Sequence, residues 1–251
     1  MRLPFEQMMQ IFDVAISVFI PAARLYRFGI CSVHAIMSDT TMQDVTLIHD
    51  IFTVIIVVFS VVAHEISHGY MAQFLGDPTA RLAGRLSVNP LKHVDPVGSL
   101  LVPFVMSLAP GGFILGWAKP VPYNPYNLRD QKWGDSKVAL AGPLTNLGIA
   151  VFFSILVRVF GTFFTDPVQQ IIYLIIGINI VLAIFNLVPI PPLDGSKVLL
   201  NSLPLRYRYI GDYLERYSLF IILFFIVFLW RFLVPLAAVV SKLLIGFSLF
   251  S

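Results

Sequence analysis

The sequence predicts an α-helical polytopic membrane protein, and three observations carry that prediction. Hydrophobic residues make up 57% of the chain and charged residues 12%, whereas soluble domains carry about 25% charged residues. Several apolar runs approach or exceed the roughly 20 residues that a helix needs to cross the hydrocarbon core. Eleven of the 17 Lys and Arg residues gather in three short segments between those runs, 77–95, 117–137 and 193–216, which reads as a topology signal and not as a nucleic-acid footprint. With Cys31 as the single cysteine, an intrachain disulfide, a Cys-x-x-Cys zinc site and a thiol relay are all excluded. Histidine and carboxylate must do any metal chemistry. No internal repeat, low-complexity tract or soluble module interrupts the pattern, so a single membrane domain is expected.

Residues 1–45 form an N-terminal extension to which no function is assigned. Leu3 to Ala23 is apolar in bulk but carries Glu6, Gln7, Gln10 and Asp13, which suits an interfacial helix or a weak first span. Asp13 and the lack of a small-residue cleavage pattern argue against a signal peptide. Arg24, Arg27, Asp39 and Asp44 mark a solvated loop, and Met37 or Met42 could serve as the initiator. His34 and His49 have no partner at metal spacing and are read as structural.

Thr46 to Leu75 reads as one helix, and it contains Ala63-His64-Glu65-Ile66-Ser67-His68-Gly69. Helix positions four apart share a face and lie about 6 Å apart along the axis, so His64 and His68 can reach one metal ion. This is the H-E-x-x-H spacing of zinc peptidases, where two imidazoles hold the metal and the glutamate takes a proton from water. Ionisable side chains at membrane depth are costly and usually functional. A polar cluster that only ties helices together is the blander alternative.

Gly76-Asp77-Pro78-Thr79 should stop that helix. Ala80 to Val88 alternates apolar with polar or small residues and predicts a short strand, which Arg81, Arg85 and Lys92 place on the cytoplasmic side. Val97 to Trp117 is apolar but broken by Pro103, Pro110, Gly111 and Gly112, with basic residues on both flanks. A re-entrant hairpin satisfies both features, since its ends return to the same side. His93 and Asp95 beside it read as loop residues, and Asp77 is likewise expected in a solvated loop.

Val138 to Phe164 predicts a second span, carrying Gly142-Pro143-Leu144-Thr145-Asn146 near its start. Small residues there let another backbone approach, and Asn146 brings a hydrogen-bonding amide to membrane depth, as structural glue or as part of a site. A third span, Val168 to about Val188, ends in Asn186-Leu187-Val188-Pro189-Ile190-Pro191-Pro192-Leu193-Asp194-Gly195. Three prolines in four residues cannot continue a helix, so an extended segment that turns at Gly195 is expected. Non-helical backbone at this depth needs protein or a wet cavity around it, which makes Asp194 a natural third metal ligand. The loop Lys197 to Arg216 holds four basic residues and should face the cytoplasm. Tyr217 to Val234 then spans again, and Pro235 either ends or kinks that helix.

His64-Glu65-x-x-His68 in one span, Gly142-Pro143-x-x-Asn146 in the next, and Asn186-x-x-Pro189-x-Pro191-x-Leu193-Asp194-Gly195 after a third resemble the site-2 protease family of intramembrane zinc metalloproteases. The resemblance covers about residues 46–216. It implies a three-helix catalytic core with one Zn²⁺ per chain held by His64, His68 and Asp194. It also implies catalysis by Glu65, with Asn146 orienting substrate or stabilising the oxyanion. Gly84-Arg85-Leu86-Ser87-Val88-Asn89-Pro90 and Trp117-Ala118-Lys119-Pro120-Val121-Pro122 look like the compact bacterial and archaeal branch. Residues 46–251 are then the membrane-embedded metalloprotease domain, and the N-terminal extension departs from the pattern.

Three ligands would leave the fourth zinc position open to water, with Glu65 as general base. The substrates would be transmembrane proteins or peptides that unwind locally, and the strand near Ala80 to Val88 could add an extended peptide at its edge. The expected setting is the lipid bilayer of the cell membrane, multi-pass, with the active site toward the cytoplasm and no nucleic-acid partner. A metal transporter would need further polar residues along a continuous path, and few are present. A catalytically inactive binding protein would usually have lost Glu65 or a ligand, yet all four residues stand.

Overall fold

The computed structural model describes residues 39–101, 118–204, 208–218, 220–221, 224, 230–247 and 249–250. They form helices and connecting turns, and no strand occurs among the described residues. The helices are α1 (Asp39–Phe74), α2 (Thr79–Leu82), α3 (Gly134–Phe160), α4 (Asp166–Asn186), α5 (Asp194–Ser202), α6 (Arg208–Arg216) and α7 (Trp230–Ile245). Three stretches are long and apolar enough to cross a membrane: Ile51–Phe74 within α1, Gly134–Phe163, and Asp166–Asn186. The chain divides into two compact units, residues 1–59 with 93–119 and residues 60–92 with 120–251. In the first, α1 exposes Ile51, Phe52, Val54, Ile55, Val58 and Phe59, a surface fit for lipid tails. Also in that unit, Lys119 N–H donates to the His93 carbonyl at 2.8 Å.

The second unit is built on α3, α4 and α7. Ala150 and Val157 of α3, Ile172, Ile176 and Ile180 of α4, and Ala237 and Ile245 of α7 form its core with Leu249. Lipid tails are as apolar as these side chains, so close packing and buried hydrogen bonds, more than the hydrophobic effect, hold such helices together. Asp130 shapes the turn that leads into α3 by accepting from the N–H groups of Lys132 and Trp133 at 3.2 and 2.9 Å, an Asp-centred turn of the common local kind. Pro143 lies inside α3 and cannot donate to the carbonyl four residues back. At the far end, Phe152, Ile155 and Val159 face outward.

Several expectations change. Ala80 to Val88 is not a strand: Thr79–Leu82 is a helical turn that closes at Gly84 with φ +65°. Proline-threonine starts a turn of helix more readily than a strand, and among the described residues no strand lies beside the segment to pair with it. The connection from Leu187 to Leu193 is a series of turns, tied by Ile190 N–H to Val188 O and Leu193 N–H to Ile190 O, and not an extended run. Gly195 makes no left-handed turn. It lies in the first turn of α5, where a Cβ would sit 2.2 Å from the Leu187 carbonyl oxygen, so glycine is needed for room and not for φ. Pro235 lies inside α7. The re-entrant hairpin beyond Leu101, the N-terminal extension up to residue 38 and much of the span from Tyr217 to Val234 lie outside the described residues.

Candidate metal centre

The site starts from the helical spacing of His64 and His68, whose rings meet edge to face with centroids 4.7 Å apart. Both side chains are buried. Each ring uses its Nδ1 on an oxygen: His64 faces Asn146 Oδ1 at 2.6 Å, and His68 faces the Val138 carbonyl at 2.7 Å. A carbonyl oxygen can only accept, so each Nδ1 carries a proton, and in the neutral ring each Nε2 keeps its lone pair. The Asn146 amide is orientated by its other side, where Nδ2 donates to Asn179 Oδ1 at 2.8 Å and to the Ser60 carbonyl at 3.3 Å.

The two Nε2 atoms converge on one oxygen from the other end of the chain. Asp194 Oδ2 lies 3.0 Å from His64 Nε2 and 3.2 Å from His68 Nε2. Three acceptors facing one another at such distances repel unless a cation lies among them. A tetrahedral ion with metal–ligand bonds of about 2.0–2.2 Å would space its ligands by about 3.3 Å. The donor set therefore fits zinc, and the buried Nδ1 bonds are the supporting contacts that orient metal-binding imidazoles.

Gly142 makes that convergence sterically feasible. A Cβ there would lie 2.5 Å from His64 Nε2 and 2.6 Å from His68 Cε1, so α3 approaches the imidazoles as closely as a backbone can. Asp194 is brought in by the turns after α4 and begins α5, whose first turn favours a carboxylate. Glu65 stands beside the histidines, with its carboxylate within 4.8 Å of their ring nitrogens. Glu65 Oε2 accepts from the Val121 N–H at 3.0 Å.

All five residues singled out by sequence thus lie in one cluster. Asn146 is wholly buried against His64, Asn179 and Ser60. Three contributors were missed. Asn179, also wholly buried, donates to Ser60 Oγ at 3.0 Å and extends the Asn146 network; a lone asparagine within an apolar span was a readable signal. The Val138 carbonyl and the Val121 amide are backbone groups, and no residue type announces them. Beside Asp194 on α5, Lys197 Nζ donates to the Tyr123 hydroxyl at 2.9 Å, and that hydroxyl donates to Asp135. Burial, with Asp135 next, pushes the Tyr123 phenol above its ordinary range, so it stays a neutral donor.

Comparison with known proteins places this geometry in a lineage. The family model for peptidase family M50 matches residues 161–229. The chain is 35% identical over 196 residues to "Putative zinc metalloprotease YwhC" of Bacillus subtilis, covering 75% of this chain and 83% of that protein. It is 33% identical over 144 residues to "Putative zinc metalloprotease Rip2" of Mycolicibacterium smegmatis, covering 56% of this chain and 52% of that one. With "Putative zinc metalloprotease MJ0611" of Methanocaldococcus jannaschii it shares 37% identity over 103 residues, 40% and 50% of the two chains. No solved structure matches. Through the family match, the relative covered over most of its length and a histidine-glutamate-histidine cluster set in apolar helices, the chain belongs to peptidase family M50 and is an intramembrane zinc metalloprotease.

Proposed function

We propose that His64, His68 and Asp194 hold the zinc ion and that Glu65 is the general base for hydrolysis of peptide bonds in or near transmembrane segments. The observation that carries this reading is the convergence of His64 Nε2, His68 Nε2 and Asp194 Oδ2, with the Glu65 carboxylate alongside. Zinc bound there supplies Lewis acidity toward a peptide carbonyl and lowers the pKa of water. Glu65 is held by Val121 through Oε2, which leaves Oε1 to take a proton from water and return it to the leaving amine. Asn146 fixes the tautomer and the angle of the His64 ring. Its amide is engaged on both sides, so in this reading it acts behind the histidine and not on the substrate.

The substrates are membrane proteins, and the bond to be cut has to leave its helix first, because helical hydrogen bonds shield the carbonyl. The metal centre opens toward the cytoplasm, since the basic residues cluster in the segments 77–95, 117–137 and 193–216 that surround it in sequence. The M50 match and the complete His-Glu-His set weigh against a transporter or an inactive binding protein.

The test is Glu65→Gln, assayed for zinc content and for cleavage of a model transmembrane substrate. Glutamine can still accept from Val121 but cannot take the proton, so zinc is retained and proteolysis is lost. Loss of zinc, or retained cleavage, would remove Glu65 from the role of base.

A further inference from the structure

Asp77 was expected in a solvated loop, and it is wholly buried. It lies just past the end of α1 and accepts four hydrogen bonds. Oδ1 takes the Thr79 N–H at 3.2 Å, the Thr79 hydroxyl at 2.5 Å and Asn127 Nδ2 at 2.8 Å, and Oδ2 takes the Asn124 N–H at 2.7 Å. A buried carboxylate is costly unless its lone pairs are filled, and here two of the four bonds come from Thr79 and two from the segment Pro120–Asn127, through Asn124 and Asn127. That segment runs back along α1. Arg129 N–H donates to the Leu75 carbonyl at 2.8 Å, and Leu128 packs against Ala72 and Val138. Further up the helix, Val121 lies over Gly69, where a Cβ would meet Val121 Cγ1 at 2.8 Å.

The near end of the segment is Pro120-Val121-Pro122. Proline has no N–H and a fixed φ, and it restricts the residue before it, so this tripeptide is stiff and offers one donor. That donor is the Val121 N–H, and it is spent on Glu65 Oε2. Arg85 Nη2 adds a bond to the Pro120 carbonyl at 3.3 Å. The same helix therefore carries Glu65 and, beyond its end, the carboxylate that anchors the segment reaching back to Glu65.

We propose that Asp77 is a positioning residue for catalysis: by anchoring Asn124 and Asn127 it holds the Val121 amide against Glu65 and so fixes the orientation of the general base. The proposal rests on the reading of Glu65 as base. Asp77 touches neither substrate nor metal, and it acts through the backbone of Pro120–Asn124. Burial alone would push its carboxyl up, but the bonds from Thr79, Asn127 and Asn124 outweigh it and hold the group below the usual carboxylate range. It is thus the charged acceptor that the anchor needs.

The test is hydrogen–deuterium exchange on the full zinc-loaded chain, together with zinc content, kcat and KM on a model transmembrane substrate. In Asp77→Asn the new amide nitrogen faces a donor whichever way the amide turns, the Asn124 N–H on one side or Thr79 and Asn127 on the other, and in either case a bond from Asn124 or Asn127 is lost. Exchange at the Val121 amide should then rise by about tenfold while the helices stay protected. Zinc content should be unchanged, KM should stay within about twofold, and kcat should fall by about tenfold, a fraction of the roughly 10²–10⁴ that a positioned general base contributes. Parent-rate exchange at Val121, unchanged kcat, or loss of zinc with exchange rising across all helices would each overturn the proposal. Should Asp77→Asn fail to fold, Asn127→Ala alters an exposed residue and removes one anchor. It should raise Val121 exchange and lower kcat by a smaller factor, and parent values for both would overturn the proposal. The exchange readout does not depend on activity, so it is separable from the base assignment: retained cleavage in Glu65→Gln would sink the base, while Val121 exchange reports only on the anchor.

Discussion

Gly142 and His64 stand so close that a methyl group on the glycine would overlap the imidazole, with the added carbon 2.5 Å from Nε2. The backbone of α3 is in effect one wall of the metal centre. Gly142→Ala should push both imidazoles off their common point, since His68 Cε1 is equally near. Zinc affinity is expected to fall by about 10–100-fold, the range seen when contacts supporting metal ligands are altered, while the protein still inserts and keeps its helical content. Zinc competition with a chromophoric chelator checks this, and parent affinity would show that the helices separate freely.

A second prediction concerns the amide chain behind His64. Asn179 donates to Ser60 Oγ and accepts from Asn146, which in turn accepts from His64. Asn179→Ala should therefore weaken zinc binding, and Asn146→Ala should weaken it more, by about tenfold or above. The double variant should cost little beyond Asn146→Ala alone, because the two residues act in series. Additive losses would show that Asn179 acts on another part of the molecule.

The site was legible where chemistry needs particular residue types at fixed spacing. His64, Glu65 and His68 follow from the helical repeat, and Asp194 from a carboxylate next to a proline-broken helix end. Gly142 was read as a point of close approach, and it is one. Gly195 was read as a turn glycine and proved to be a space requirement against Leu187, because sequence does not show which backbone will pass nearby. Asp77 looked solvated for the same reason: its partners Asn124 and Asn127 lie some fifty residues away. The strand expected at Ala80 to Val88 failed because alternation over a few residues also suits a helical turn followed by irregular chain, and a strand needs a partner that alternation alone does not supply.

Orientation in the membrane is tested by labelling. Eleven of the 17 Lys and Arg residues fall in 77–95, 117–137 and 193–216, and all three segments should be cytoplasmic. With Cys31 replaced, a cysteine at position 130 should react with a membrane-impermeant thiol reagent only when the cytoplasmic face is open. Reaction from the outer face alone would invert the topology.

Asp194, the proposed third zinc ligand, joins the end of the third described span to the His64–His68 pair. Zinc affinity of purified parent and Asp194→Ala, measured alongside substrate cleavage, tests that role most directly. Asp194→Ala should insert normally, bind zinc at least about tenfold more weakly and fail to cleave. Parent-like zinc binding with retained cleavage would contradict the three-ligand centre and make Asp95 the next carboxylate to examine.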